Sequence, residues 1–242
     1  MKTEGRNAVI ELLKTGKTID KIMLEKGAQG SLGLIFAQAR KKGVRVQFVD
    51  RQVLDKESAT KKHQGVIAFT TDYEYFDLEE IITEKKSEKG GFIVLCDGIE
   101  DVHNLGSILR VAECAGADGV VIPKSGNAPI TESVIRISAG AAEHIKVAKV
   151  SNLNQAIETL QKNNYWVYAL EAGDEDIYAQ DFSGNVALVV GGEDSGVKRL
   201  TKEKCDKVLS IPLQGKVNSL NASVALGIAT YEAVRKRLHN GK

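Results

Sequence analysis

Cysteine is scarce in this 242-residue chain: there are three, Cys96, Cys114 and Cys205, far apart in sequence. That number and spacing give no disulfide framework and no Cys-x-x-Cys zinc pair, and they suit a reducing cytoplasm. Histidine is equally sparse and scattered, at His63, His103, His144 and His239, so no metal site is expected. No apolar run is long enough to span a bilayer and no charged-then-apolar leader opens the chain, which predicts neither a membrane segment nor a signal peptide. Nucleotide signatures are missing as well. There is no G-x-G-x-x-G and no G-x-x-x-x-G-K-[ST], so the phosphate cradles of a Rossmann site and of a P-loop are both excluded. Internal repeats and low-complexity tracts are also lacking.

Apolar residues make up 43% and charged residues 27%, an ordinary globular mixture with enough length for one large core or two modest ones. The net charge of +1 hides an asymmetry. Residues 1–71 hold 14 Lys or Arg against 7 Asp or Glu, residues 72–90 hold 3 against 7, and residues 91–242 hold 16 against 18. A basic module, an acidic segment and a near-neutral module suggest phosphate binding at the first end, by RNA or DNA. The predicted organisation is therefore a binding domain at 1–71, a linker at 72–90 and a second domain at 91–242.

Within the first 71 residues helical and strand patterns alternate. Helices are expected at 5–13, 32–42 and 51–60, with strands at 19–24, 44–49 and 65–69. Basic clusters lie at Arg40-Lys41-Lys42 and at Lys61-Lys62-His63-Gln64. In the acidic segment, Asp77 followed by Glu80 resembles a capping pair for a short helix through Ile81 and Ile82. From Phe92 onward, strands expected at 92–96, 119–122, 144–150, 165–170, 186–190 and 207–211 alternate with helices at 104–116, 131–142, 152–162, 196–204 and 221–238. Such alternation predicts an α/β domain with a mostly parallel sheet covered on both faces.

Three loops after these strands are rich in glycine and polar residues. The first, Asp97 to Leu109, leads into a helix with Leu105, Ile108, Leu109 and Ala112 on its apolar face and Ser107 and Arg110 opposite. Asn104 stands at its expected N-cap. The second is Gly191-Gly-Glu-Asp-Ser-Gly196, and the third runs from Ile211 to Ser223. Singly, each has a plain structural reading. Arg110 can be a surface charge, Glu193 a helix N-terminal acid, and Ser219 or Asn221 an N-cap. Val224, Ile228, Tyr231 and Leu238 on the last helix read as core or as an interface.

Taken in order, Asn104-Leu-Gly-Ser-Ile-Leu-Arg110, Gly191 to Gly196, and Ile211-Pro-Leu…Asn218-Ser-Leu-Asn-Ala-Ser-Val-Ala225 resemble the three motifs of the SpoU/TrmH group of RNA ribose 2′-O-methyltransferases. Gly192 departs from the pattern, which usually has Asn or Ala there. Gly5-Arg-Asn-Ala-Val-Ile-Glu-Leu-Leu13 and His63-Gln-Gly-Val-Ile-Ala68 are similar to the substrate-binding domain of the bacterial 23S rRNA (guanosine-2′-O-)-methyltransferase (RlmB) subgroup. The resemblance implies a small N-terminal α/β RNA-binding domain of the ribosomal protein L30e/L7Ae type and a C-terminal SPOUT-like domain with a trefoil knot. It implies S-adenosyl-L-methionine as cofactor, a 23S rRNA guanosine as substrate and a homodimer whose active site is completed across the interface. Gly191, Ile211, Leu213 and Leu220 would touch the cofactor. Arg110 would be the central catalytic residue, with Asn104, Glu193, Ser219 and Asn221 orienting it and the nucleotide.

Overall fold

The computed structural model describes residues 1–239 except Gly16, Ala28, Asp72, Lys86, Glu88 and Asp194, and leaves the side chains of Asp174 and His239 undescribed. Asp194 of the second motif and Asp72 at the start of the expected linker thus lie outside the described residues. The chain divides into two units, Met1–Glu74 with Pro129–Glu132, and Tyr75–Ala128 with Ser133–Lys242.

The first unit contains β1 (Lys2–Glu4), α1 (Arg6–Lys14), β2 (Thr18–Glu25), α2 (Ser31–Lys41), β3 (Val46–Val49), α3 (Arg51–Glu57) and β4 (Val66–Thr71). Its sheet has the order β1-β4-β2-β3, with only the β2–β3 pair parallel. Val9 and Leu13 of α1 and Ile35 and Ala39 of α2 bury their apolar stripes against Ile22, Leu24 and Val66 of that sheet. β1 has no counterpart among the expected elements. Three mostly polar residues carry no alternation signal, and the strand exists because β4 offers it an antiparallel edge.

The second unit comprises α4 (Leu78–Thr83), β5 (Phe92–Asp97), α5 (Val102–Cys114), β6 (Gly119–Pro123), α6 (Glu132–Ile137, whose first residue groups with the first unit), β7 (Lys146–Val150), α7 (Leu153–Lys162), β8 (Tyr165–Asp176), β9 (Asn185–Gly191), α8 (Arg199–Lys204), β10 (Lys207–Ser210) and α9 (Ala222–His239). All its paired strands are parallel, in the order β10-β8-β9-β5-β6-β7. β5 is buried along its whole length, as a central strand covered on both faces must be. Alternate positions such as Ile93, Leu95, Ala187 and Val189 pack toward α4 and α7, while α5 and α9 lie against each other.

Several elements differ from expectation. The short helix expected through Ile81 and Ile82 forms as α4, but in the stretch read as linker its Leu78, Ile81 and Ile82 enter the core of the second unit. Asp77 caps it, and its backbone N–H donates to Glu80 at 3.3 Å. α5 starts at Val102, because Asp101 accepts the His103 N–H at 2.8 Å and serves as N-cap in place of Asn104. On α9 the buried face is Leu226, Ala229 and Ala233, whereas Val224, Tyr231 and Leu238 are exposed, so that stripe is not core. Near the end of α9, Arg237 donates to the carbonyls of Phe182, Gly90, Gly91 and Gly184, which ties the helix to the turns that begin β5 and β9.

Candidate active site

Strand order reverses beside β5: β6 and β7 are added on one side, and the chain then returns on the other through β8 and β9. In open parallel sheets, ligands bind outside the carboxyl ends of the strands at such a switch point. Loops leaving β5, β9 and β10 all emerge there. A register shift adds a fourth wall, since Val208 of β10 faces Ala169 of β8 but Leu209 faces Glu175. Residues 170–174 are therefore left without a ladder partner on β10, the kind of irregularity that re-aims side chains beside active sites.

The result is a cavity of about 490 Å³. The β9 loop supplies Gly191, Gly192, Glu193, Ser195 and Gly196, and the segment before α9 supplies Ile211, Leu213, Asn218, Ser219 and Leu220. Leu170, Glu171 and Ala172 from β8 close one side, and Ala222 and Ala225 of α9 close another. Three of the glycines are sterically required, Gly192 because a Cβ there would meet the Gly98 carbonyl. A Cβ on Gly191 would collide with the backbone of Gly196 and Val197, and Gly196 holds a left-handed φ of 60° against the Glu171 carboxylate. These glycines thus bring bare backbone to the cavity wall.

Two carboxylates fix this loop from opposite sides. Asp97, at the end of β5 and only 2% exposed, accepts the Lys198 backbone N–H at 2.9 Å and its ammonium at 2.8 Å. The Asp97 carbonyl accepts the Gly192 N–H at 3.1 Å. Glu171 accepts the Val197 N–H at 3.0 Å, with Lys202 at 3.8 Å. Among the described lining residues there are two acids, Glu171 and Glu193, and no Lys, Arg or His, so the cavity favours a cationic ligand.

Asn221 joins the loops into one site. Its side-chain oxygen caps α9, accepting the Ser223 N–H at 3.0 Å and the Val224 N–H at 3.3 Å. The amide nitrogen of the same side chain donates to Asn104 Oδ1 at 2.8 Å and to Glu193 Oε1 at 2.5 Å. Asn221 therefore caps α9 and at the same time bridges Asn104 and Glu193. Asn104 is buried in the first turn of α5, facing inward.

Of the residues expected from sequence, Gly191, Glu193, Ile211, Leu213, Ser219 and Leu220 line the cavity, and Asn104 and Asn221 bridge to Glu193. Arg110 is not among the lining residues. It is exposed on α5, and its guanidinium makes no hydrogen bond or ion pair among the described residues. Sequence reasoning missed Glu171, Asp97 and Lys198. Glu171 follows the apolar run of β8 and could have been found as an acid at a strand's carboxyl end. The Asp97–Lys198 pair, 101 positions apart, left no local signal. Cys96, beside Asp97, is no nucleophile, because burial pushes its thiol up to about 12. No group of three or more His, Cys, Asp or Glu able to hold a metal occurs among the described residues.

Residues 91–231 match the SpoU rRNA Methylase family, and residues 3–76 match the family of RNA 2′-O ribose methyltransferase substrate-binding domains. YacO of Bacillus subtilis strain 168, assigned to the TrmH family of tRNA/rRNA methyltransferases, is 44% identical over 237 residues, which cover 96% of this chain and 94% of the relative. The crystal structure of the SpoU methyltransferase AviRb from Streptomyces viridochromogenes, in complex with AdoMet, superposes with a TM-score of 0.63 at 22% identity, covering 98% of this chain and 90% of that one. A TrmH/SpoU tRNA modifying enzyme from A. aeolicus gives a TM-score of 0.58 at 28% identity, over 68% and 84% of the two chains.

Proposed function

The chain belongs to the SpoU family of RNA ribose 2′-O-methyltransferases, and from that premise we propose that it methylates a guanosine ribose of 23S rRNA with S-adenosylmethionine as donor. One observation carries the methyl-transfer part of this reading: the Asn104–Asn221–Glu193 hydrogen-bonded chain stands at the rim of a glycine-walled, acid-lined cavity. That cavity fits the cofactor. Its volume lies within the usual range for small-molecule sites, its walls are apolar side chains and bare backbone, and its charge opposes that of a sulfonium.

Gly191, Ile211, Leu213 and Leu220 hold the cofactor, which supplies an electrophilic methyl group on positively charged sulfur. The protein's own task is alignment and charge. A ribose 2′-hydroxyl is a poor nucleophile, and holding it in near-attack geometry contributes about 7–11 kcal/mol. Asn104, its oxygen engaged by Asn221, keeps an amide nitrogen to donate to the nucleotide. Ser219 lies on the cavity wall and positions the ribose. A guanidinium is a poor proton acceptor. Arg110 therefore grips the phosphate beside the target ribose and stabilises the developing alkoxide with its planar fork.

Arg110 acts from the exposed face of α5, and the site is completed across a homodimer interface that includes the exposed Val224, Tyr231 and Leu238 of α9. The cofactor-binding loops and α9 form a trefoil knot, the first unit has the L30e/L7Ae-type fold, and the protein acts in the cytoplasm. A tRNA ribose is the second reading, because the description of YacO spans tRNA and rRNA. Mapping 2′-O-methyl positions in rRNA and tRNA from cells with and without the gene decides between them. Loss of one 23S rRNA guanosine mark is expected. A lost tRNA mark selects the second reading, and unchanged maps reject both.

A further inference from the structure

Two basic clusters lie on the first unit, and they are built differently. Arg40, Lys41 and Lys42 close α2, where cations are favoured by the helix dipole, so a stabilising role accounts for them. Lys61 and Lys62 have no such role. They sit in the segment between α3 and β4, and that segment is held by a carboxylate from the far end of the sequence. Glu4 accepts the Ser58 hydroxyl at 2.7 Å, the Ala59 N–H at 2.7 Å and the Thr60 hydroxyl at 2.5 Å. These bonds hold the Glu4 carboxyl down at about 2.

The segment is pinned at its other end too. His63, 1% exposed, places Nε2 2.9 Å from Asp55 and accepts the Gly65 N–H on Nδ1 at 3.0 Å. Arg6 donates from Nε to the Gln64 carbonyl at 3.0 Å and from Nη1 to Ser31 Oγ at 3.2 Å. Between these anchors Lys61 and Gln64 adopt left-handed φ values of 57° and 51°, unusual outside glycine. The neighbouring acids are all engaged: Glu4 on the loop, Asp55 on His63, and Glu25 on Arg51 at 3.6 Å. Among the described residues Arg6, Lys61 and Lys62 make no ion pair, and all three are exposed. The chain thus spends several buried or fixed contacts on holding three unneutralised cations together on one surface.

We propose that the loop 58–64, together with Arg6, is the RNA phosphate-docking site of the first unit, and that Arg40-Lys41-Lys42 is not. The proposal rests on the reading that RNA is the substrate and names where its backbone is held. The two clusters are separable, because Arg6 reaches Ser31 at the start of α2 while the other cluster ends that 11-residue helix, about 16 Å away. Glu4 and His63 are positioning residues that shape the loop and do not touch RNA themselves.

The test uses the full chain and a transcribed 23S rRNA fragment, with binding measured across a salt series. Lys61→Ala with Lys62→Ala, and Arg40→Ala with Lys41→Ala, each remove two positive charges. The first pair is expected to weaken binding about tenfold and to lower the salt slope by about 1.4, against less than about twofold for the second. Equal losses, or a larger loss from the second pair, overturn the proposal. Glu4→Gln gives an independent answer, since it makes the unit more positive while freeing the loop. A loss of about threefold or more, against the electrostatic trend, supports the docking geometry, and tighter binding overturns it. Because binding is read separately from methyl transfer, an inactive protein that still loses RNA only in the loop variants supports the site while rejecting the activity. A wild-type chain with no affinity for the fragment rejects the site.

Discussion

Arg110 separates a surface role from a catalytic one by a measurable amount. As a solvated charge on α5, its replacement by alanine would cost within about 0.5 kcal/mol of stability and leave methyl transfer intact. As the group that grips phosphate beside the reacting hydroxyl, Arg110→Ala loses about a hundredfold in rate, close to 3 kcal/mol, with cofactor affinity little changed. Arg110→Lys is expected to rescue little, because lysine keeps the charge without the fork. Single-turnover methyl transfer alongside a melting curve checks both. Chemistry at two other side chains is equally specific. Burial pushes the Cys96 thiol up to about 12, so mild alkylation at pH 8 should label the exposed Cys114 and spare Cys96, as peptide mass mapping will show. Glu4, held at about 2 against an ordinary 4.5, favours the folded loop above pH 4.5 and loses that effect as pH falls toward 2. The protection of the Ala59 and Thr60 amides, measured against the intrinsic exchange rate at each pH, should fall in that window.

Loops, more than helices or strands, decide what the sheet can bind, and here their positions were readable while their fastenings were not. Glycine and polar runs interrupting apolar strands announced the β5, β9 and β10 loops, and the ordered motifs named Asn104, Glu193 and Asn221. The bulge that brings Glu171 to the cavity depends on a register shift between β8 and β10, which no local pattern encodes. Asn104 was read as an N-cap because any early Asn before an apolar stripe qualifies, and Asp101 competes for the same position three residues earlier. The α9 stripe showed its period but not its environment, since a stripe looks alike whether it meets a core or a partner. The Asp97–Lys198 fastening predicts a further result. Asp97→Asn keeps the shape but removes the charge that holds the β9 loop, and Lys198 is half exposed, so a cost of about 1–2 kcal/mol is expected in urea unfolding. Calorimetric titration should show weaker S-adenosylmethionine binding in the same variant, and unchanged affinity would detach Asp97 from the site.

Across the whole chain, the division of charge and the division of cores fall at different places. Negative charge begins at Asp72, yet the second unit starts at Tyr75 and takes Leu78, Ile81 and Ile82 into its core. Each buried aliphatic side chain contributes about 1.5–3 kcal/mol, so a fragment of 91–242 should melt well below one of 75–242. Comparable melting temperatures would show that α4 is dispensable. The cavity's composition also has a consequence in time. Its first wall, Leu170 to Ala172, is synthesised some fifty residues before its last, Ala222 and Ala225, and the amide that joins Asn104 to Glu193 belongs to Asn221. A nascent chain still threaded through the ribosomal tunnel at that point has a folded first unit and most of a sheet but no place for a methyl donor. Catalytic competence therefore arrives only once residues through Ala225 have emerged, long after the basic first unit is free to meet RNA.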